Sequence, residues 1–229
     1  MNRAFIVFSL LTGALLSYAL YEALVGAPTE RTMGDVQRIF YYHVPSAWTA
    51  FVLFFINFVA SIVYLVRRSQ RADAVAVVAA EVGVVFCTIV LVTGPLWARP
   101  VWGTWWTWDV RLTSTLVLWL IYVSYLFLRR FSSSGQTPVL AAVLAIFGAL
   151  DVPLVYFSIW YFRTQHPQPV IGGGGSLDPA MRTVLLLNWA AFLCFAAMVC
   201  WSRYRLERLR QEVEEAQAQQ ALAEIRSAR

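Results

Sequence analysis

The sequence contains no lysine, only two histidines and only three cysteines among its 229 residues. Cys87, Cys194 and Cys200 lie inside apolar runs and form no Cys-x-x-Cys pair, which argues against a disulfide framework and a thiol redox carrier. No Walker motif is present, so any coupling to ATP must come from other chains. A soluble globular protein is excluded as well, because 59% of the residues are hydrophobic and only 14% are charged.

Six long apolar runs account for this composition, and each is long enough to cross about 30 Å of hydrocarbon at a helical rise of about 1.5 Å per residue. They cover residues 4–25, 45–66, 74–97, 112–128, 139–161 and 182–202. We therefore predict an all-α integral membrane protein with six transmembrane helices. Residues 1–202 would form the membrane domain, and residues 203–229 would form a charged, helical, cytoplasmic tail. Two acidic residues within the runs, Glu81 and Asp151, are expected to make structural contacts.

The basic residues predict the orientation of the chain in the membrane. All eighteen are arginine, and with the N-terminus inside, twelve fall on inner segments and six on outer loops. This bias follows the positive-inside rule and places both termini in the cytoplasm. The net charge of +5 therefore needs no nucleic-acid partner, since the inside bias and anionic lipid account for it. In the third outer loop, the run Gly172–Gly175 predicts a flexible connection.

The second outer loop, at about 98–111, is rich in tryptophan. Four of the ten tryptophans of the chain fall within residues 102–111, at Trp102, Trp105, Trp106 and Trp108. An aromatic belt at the membrane surface explains one or two such rings at the end of a helix. Four rings, closed by Asp109 and Arg111, instead indicate a platform for a large flat partner.

Both histidines are predicted to lie in outer loops. His43 comes shortly before Pro45, the expected first residue of the second span, so its ring would sit at a helix N-terminus. The partial positive charge of that terminus favours the neutral imidazole, which is the form that binds metals. His166 precedes Pro167, which favours an extended backbone. Two histidines on one side of the membrane, flanking the tryptophan loop, indicate a shared site.

Two imidazoles are too few for a zinc site, but they suffice as the axial ligands of a haem iron. A porphyrin is flat and aromatic, which suits tryptophan faces, and its propionates favour arginine. Outer-loop arginines are available at positions 31, 38, 99, 111, 163 and 182. Since no Cys-x-x-Cys-His segment is present, we predict non-covalent haem b bound through His43 and His166. Two alternatives stay open for Arg111: a contact with Asp109 inside the loop, and binding of a propionate.

The segment Trp102-Gly103-x-x-Trp106-x-Trp108-Asp109-x-Arg111 is similar to the tryptophan-rich "WWD" signature of the haem-handling proteins of cytochrome c biogenesis. Within that group, the chain resembles the family of cytochrome c maturation protein C, also called haem exporter protein C. The resemblance covers roughly residues 30–202 and departs only at Thr107 and Val110, which are variable positions. Further matching segments lie at residues 42–48, 94–98, 112–114, 151–153 and 163–167. The tail has no dependable counterpart in the family.

The resemblance implies that the protein holds haem at the periplasmic face of the bacterial inner membrane. From there it would deliver haem to a periplasmic chaperone, cytochrome c maturation protein E, which binds haem covalently through its own histidine. His43 and His166 would be the axial ligands, and the tryptophans would hold the macrocycle or the chaperone. Gly103, Asp109 and Arg111 would belong to the same binding loop. Further implied partners are an ABC-type ATPase and permease and a small single-span subunit, and the role is delivery of haem, without its breakdown.

Three other functions remain as alternatives. A transporter that carries haem across the membrane itself requires a polar or haem-sized path, whereas these spans are almost wholly apolar. A bis-histidine electron-transfer subunit usually places its ligands within helices, whereas both histidines are predicted here at span ends. A structural subunit would use the tryptophan loop only as a membrane belt and docking surface.

Overall fold

The computed structural model describes residues 3–132, 134–169, 171 and 177–227 of the chain. The segment Gly172–Gly175, predicted as a flexible connection, lies outside the described residues. The described residues contain no strand beyond an isolated bridge between Glu30 and Gly34. The helices are, in chain order, α1 (Arg3–Tyr21), α2 (Phe40–Arg67), α3 (Gln70–Trp102), α4 (Val110–Phe131), α5 (Thr137–Ala149), α6 (Asp151–Tyr161) and α7 (Pro179–Ser227).

These helices confirm the prediction of six membrane spans in an all-α protein. Within the described residues, six helical stretches are long and apolar enough to cross a membrane. A π-helical turn at Glu22–Gly26 extends α1, and a 3₁₀ turn at Asp35–Ile39 leads into α2. Their bounds are Arg3–Gly26, Asp35–Arg67, Gln70–Trp102, Val110–Phe131, Thr137–Tyr161 and Pro179–Ser227.

The second span begins earlier than predicted, so His43 lies within a helix and not in the loop before it. Helix α2 starts at Phe40, with Pro45 inside it. The early start has a tertiary cause: Phe40 and Tyr41 are buried against Met181 and neighbouring residues of α7. The prediction that Pro45 opens this helix was therefore wrong, because packing against α7 outweighs the backbone hydrogen bond that proline cannot make.

The fifth span is interrupted near its middle. Helix α5 ends at Ala149, Leu150 separates the two helices, and α6 begins at Asp151. Pro153 lies in the first turn of α6, where its missing N–H costs no intrahelical bond. The break between the two helices thus falls immediately before the segment Asp151-Val152-Pro153.

Aromatic packing joins α2, α4 and α5 at the centre of the bundle. The rings of Phe54 and Tyr122 stack with centroids 3.9 Å apart and planes 12° from parallel. Gly83 of α3 lies against this stack, and a Cβ at that position would approach Phe54 to 2.7 Å. Gly83 thus allows α3 to pack closely on α2, the kind of close approach that small residues permit between membrane helices.

Two acidic residues of the spans, Glu81 and Asp73, are paired with arginines, whereas Oδ2 of Asp151 is buried without a hydrogen-bond partner among the described residues, so the structural contact expected of Asp151 is not seen there. The carboxylate of Glu81 on α3 accepts two hydrogen bonds from Arg203 on α7, at 2.8 and 2.9 Å, so Glu81 makes the structural contact expected of it. Asp73 receives both guanidinium nitrogens of Arg129 at 2.6 and 2.7 Å, and Gln211 donates to the same carboxylate at 3.2 Å. Because Gln211 belongs to the tail, the tail helix packs directly on the first turn of α3 and the last turn of α4.

Candidate functional site

One pocket collects most of the predicted site residues. It lies between the tryptophan loop, which follows α3, and the loop that joins α6 to α7. The neighbouring ends of α2, α3, α4 and α6 complete its wall. Its wall is mostly apolar, and the predicted residues that line it are His43, Trp102, Trp105, Trp106, Arg111 and His166. Trp108, Gly103 and Asp109 are not part of its lining.

The two imidazole rings face the same space within this pocket. Their centroids are 6.4 Å apart and their planes are inclined by 33°. A metal–imidazole bond is about 2 Å long. Two such bonds, together with the distance from each bonding nitrogen to the centre of its ring, give a centroid separation of about this size when both rings bind one metal atom. The rings come from distant parts of the chain: His43 is on α2, and His166 is in the loop between α6 and α7.

The hydrogen bonds of both histidines leave the same nitrogen of each ring free for a metal. Nδ1 of His166 lies 2.9 Å from the carbonyl oxygen of Pro167, which can only accept, so Nδ1 carries the proton. Nδ1 of His43 lies 2.9 Å from Oγ1 of Thr93, whose hydroxyl already donates to the carbonyl oxygen of Ile89 at 2.6 Å. Nδ1 of His43 is therefore also the donor. In the neutral form of each ring, the lone pair then resides on Nε2, the arrangement found in metal-ligating histidines.

The environment of His166 keeps its ring neutral near pH 7. Burial, and to a smaller extent the charge of Arg111, lowers the pKa of His166 to about 4. A neutral imidazole is the form that can donate its lone pair to a metal ion.

The four tryptophans of the loop divide into two groups. Trp102, Trp105 and Trp106 line the pocket, whereas Trp108 is 77% exposed and stands outside it. The rings of Trp106 and Trp108 meet edge to face at 5.8 Å, so the exposed ring is packed against a ring of the pocket wall. The loop thus offers aromatic faces in two directions, inward to the pocket and outward from the protein.

Asp109 and Arg111 each hold a different part of the site, and no ion pair joins them among the described residues. A guanidinium nitrogen of Arg111 donates to the carbonyl oxygens of Val155 and Tyr156 on α6. The carboxylate of Asp109 caps the N-terminus of α4 by accepting from the amide of Leu112 at 2.9 Å. Among the described residues that line the pocket, Arg111 is the one with a charged side chain, which makes it the available cation for an acidic ligand.

Gly103 acts on the backbone and not on the pocket. Its φ of 75° places it in the left-handed region, where it caps the C-terminus of α3. Its backbone N–H donates to the carbonyl oxygen of Arg99. The side chain of Arg99 also binds the carbonyl oxygen of Gly103. This turn ends α3 and begins the tryptophan loop. Because residues with a side chain disfavour a positive φ, a substitution of Gly103 would strain the start of the loop.

Two residues of the site were missed at the sequence level. The ring of Trp97 lies edge-on to His43 with centroids 5.8 Å apart, and Thr93 fixes the Nδ1 proton of His43. Trp97 stands at the end of the third apolar run, where an aromatic residue is explained equally well by the membrane belt. Thr93 carries no sequence signal, because a threonine inside an apolar run is typically bound to its own helix backbone.

The donor set of the pocket fits an iron porphyrin. No group of three or more histidine, cysteine or acidic side chains is gathered at a metal-binding distance in the part of the chain described, which leaves the two-imidazole set. The buried indole nitrogens of Trp97 and Trp106 have no hydrogen-bond partner in the described part of the chain and are donors beside the pocket. Aromatic walls, two neutral imidazoles and one guanidinium match a flat metal macrocycle with acidic substituents.

The fold and this pocket define a six-span helical membrane protein with two histidines in one aromatic pocket. Comparison with known proteins then gives the family. A family model described as "Heme exporter protein C" matches residues 1–219, and the chain belongs to this family.

Three relatives illustrate the similarity. The "Heme exporter protein C" of Bradyrhizobium diazoefficiens is 37% identical over 92% of this chain and 81% of its own length. The protein of the same name from Escherichia coli K12 is 36% identical over 78% of this chain and 73% of its own length. A protein of Marchantia polymorpha, named as a ccmC-like mitochondrial protein of cytochrome c biosynthesis, is 32% identical over 78% of this chain and 76% of its own length.

Proposed function

We propose that this protein binds haem b non-covalently between His43 and His166 and delivers it for the assembly of c-type cytochromes. The observation that carries the proposal is the pairing of the two rings. They lie 6.4 Å apart in one pocket, and the hydrogen bonds of both Nδ1 atoms leave both Nε2 atoms free. When bound, haem supplies an iron with two open axial positions. The printed names of the relatives, which mention haem export and cytochrome c biosynthesis, support the same function.

The pocket faces the periplasm in this proposal, and the protein is a multi-pass component of the bacterial inner membrane. The support is the arginine distribution: Arg67, Arg68, Arg129 and Arg130 lie at the helix ends opposite the pocket. In a background without the native cysteines, Gln165→Cys should react with an impermeant thiol reagent added outside spheroplasts. Arg67→Cys should react only after lysis, and labelling of both from outside would contradict this topology.

The receiving partner in this proposal is the periplasmic haem chaperone, cytochrome c maturation protein E, and the docking surface is the outward side of the tryptophan loop. Trp108 is 77% exposed and touches Trp106, which lines the pocket. A partner bound to Trp108 would thus be one ring away from the ligand. Energy for release would come from the ABC-type ATPase and permease of the same system, with a small single-span subunit, because this chain has no Walker motif.

One observation favours a second function, electron transfer through a bis-histidine haem. His43 lies on a membrane helix, the usual location of a ligand in such subunits, whereas His166 lies in a loop. A redox titration of the bound haem in the presence of a quinol separates the two functions. Delivery predicts haem that leaves to the chaperone, and electron transfer predicts haem that stays and is reduced by quinol.

Haem transfer tests the proposed function directly. Haem-loaded protein in detergent is mixed with the soluble domain of the chaperone, and covalent haem on the chaperone is measured over time. Trp108→Ala should keep its haem and transfer it more slowly, because the docking ring is lost. Trp201→Ala removes a less exposed tryptophan of α7 (41%, against 77% for Trp108), which packs against Phe5 at the other end of the bundle, and it should transfer haem normally. Equal transfer by Trp108→Ala and the unaltered protein would contradict the docking role.

A further inference from the structure

The loop that carries His166 is tied to the tryptophan loop through a single carboxylate oxygen. Oδ2 of Asp109 accepts the hydroxyl proton of Thr164 at 2.8 Å and the amide proton of Gln165 at 3.4 Å. The oxygen of Thr164 in turn accepts the amide proton of His166 at 3.1 Å. The segment from Thr164 to His166 is therefore held by one acid from a different loop.

The two oxygens of Asp109 perform separate tasks. Oδ1 accepts from the amide of Leu112 and caps α4, which is the ordinary use of an aspartate at this position. Oδ2 is not needed for the cap and turns toward the loop of His166. It also accepts from the hydroxyl of Thr107, within the tryptophan loop itself, at 3.2 Å. Serine or asparagine would cap the helix as well, so the cap alone does not explain a carboxylate here.

His166, as a metal ligand carried by a loop, needs the support of these hydrogen bonds to Asp109. The two backbone N–H groups within the segment, those of Gln165 and His166, have no helix to satisfy them, because α6 ends at Tyr161 and α7 begins at Pro179. Among the described residues, the ring of His166 makes one hydrogen bond, to the carbonyl oxygen of the adjacent Pro167. His43, in contrast, is carried by a helix and by a hydroxyl of a second helix. The carboxylate thus supplies to the loop histidine the rigidity that helices supply to the other one.

We propose that Asp109 is a positioning residue for His166, acting through Thr164 to hold the second imidazole opposite His43. This inference rests on the proposed function in one respect only, namely that His166 binds haem iron. It assigns to the acid of the tryptophan signature a role in ligand geometry, distinct from contact with the macrocycle or with a partner. Because charge-assisted hydrogen bonds are short and strong, their loss should free the segment while α4 stays capped.

The test uses variants that separate the two oxygens. Asp109→Ser keeps a capping hydroxyl but is too short to reach Thr164. Thr164→Val removes the linking hydroxyl, and Thr164→Ser restores it. Thr107→Val is the matched control, since it removes a hydrogen bond to the same oxygen without touching the segment of His166.

Two readouts are measured on the full-length protein in detergent: amide hydrogen exchange of residues 162–168 without haem, and the visible spectrum with haem. Asp109→Ser and Thr164→Val should exchange faster in this segment by at least about tenfold, the factor expected for losing a charge-assisted hydrogen bond. They should also lose the bis-imidazole spectrum as His166→Ala does, and free imidazole should restore it. Thr164→Ser and Thr107→Val should match the unaltered protein in both readouts.

The outcomes separate this inference from the proposed function. Unchanged exchange in Asp109→Ser and Thr164→Val overturns the inference whatever the spectra show. Faster exchange with an unchanged bis-imidazole spectrum also overturns it, because the segment would then be held for another purpose. If the unaltered protein binds no haem, the proposed function fails on its own, and the exchange measurement still decides whether Asp109 holds the loop.

Discussion

Nδ1 of His43 on α2 donates a 2.9 Å hydrogen bond to Oγ1 of Thr93 on α3, so one helix orients the imidazole of another. The acceptor is itself fixed, because the Thr93 hydroxyl donates to the Ile89 carbonyl at 2.6 Å. This contact sets both the direction of the ring and the nitrogen that carries the proton.

Thr93→Val should therefore weaken haem binding without removing either histidine. Loss of a residue that orients a metal ligand typically costs about 10–100-fold in affinity, and valine keeps the shape of threonine while removing its oxygen. Haem affinity is measured by titration of the haem-free protein. Thr93→Ser should bind nearly as well as the unaltered protein, and an unaffected Thr93→Val variant would show that the hydrogen bond is incidental.

Trp106→Ala and Trp108→Ala should differ in haem retention. Trp106 lines the pocket, so its removal deletes a stacking face worth about 1–3 kcal/mol by analogy with base–aromatic stacking. Trp108 is 77% exposed and outside the lining, so its removal should leave haem content unchanged. Haem per protein is measured after purification, with and without imidazole. Imidazole should not rescue Trp106→Ala, since it cannot fill the space of an indole, and rescue would contradict the stacking role.

The titration of His166 provides a test that needs no haem. In His43→Gln, His166 is the sole histidine, so one set of imidazole NMR signals reports its protonation. Its pKa should lie near 4 in the folded protein, lowered first by burial and then by Arg111, against about 6.5 in the denatured chain. Because the unfolded state takes up the proton first, the stability that the neutral ring contributes is complete above pH 6.5 and is lost as the pH falls toward 4. A midpoint near 6.5 in the folded protein would mean that the ring is solvated.

Asp73→Ala should strongly destabilise the fold. The change leaves Arg129 without its partner in a site where the two side chains are only 5% and 14% exposed, and breaking such a pair costs about 3–5 kcal/mol. The free energy of unfolding is measured by denaturant titration in micelles. Asp35→Ala is the control, because Asp35 also pairs with an arginine but is 83% exposed, and its loss should cost at most about 1 kcal/mol. Equal effects of the two changes would contradict the structural role of the buried pair.

The spans could be predicted from sequence because the length and apolar composition of a segment are enough to identify a membrane helix. The start of α2 could not, since it depends on the burial of Phe40 and Tyr41 against α7, a contact between segments far apart in sequence. The same long-range packing turned His43 from a predicted loop residue into a helical one.

The composition of the site was also accessible from sequence, but its internal arrangement was not. The rarity of histidine and the clustering of tryptophan marked six residues, and all of them except Trp108 line one pocket. The separation of Trp108 from the other three rings depends on side-chain directions that spacing does not encode. The separate roles of Asp109 and Arg111 likewise required coordinates. The sequence left open for Arg111 a contact with Asp109 or binding of a propionate, whereas the structure bonds Arg111 to α6 and Asp109 to the loop of His166.

The visible spectrum of the purified, unaltered protein tests the central claim most directly, alongside His43→Ala and His166→Ala. Ligation by two neutral imidazoles predicts a bis-imidazole b-type spectrum, extractable by acidic solvent because no covalent bond is made. Each alanine variant should lose haem or lose that spectrum, and added imidazole should restore it by occupying the empty axial position. A colourless protein that gains no Soret band with added haemin, or two variants with the spectrum of the unaltered protein, would contradict the claim.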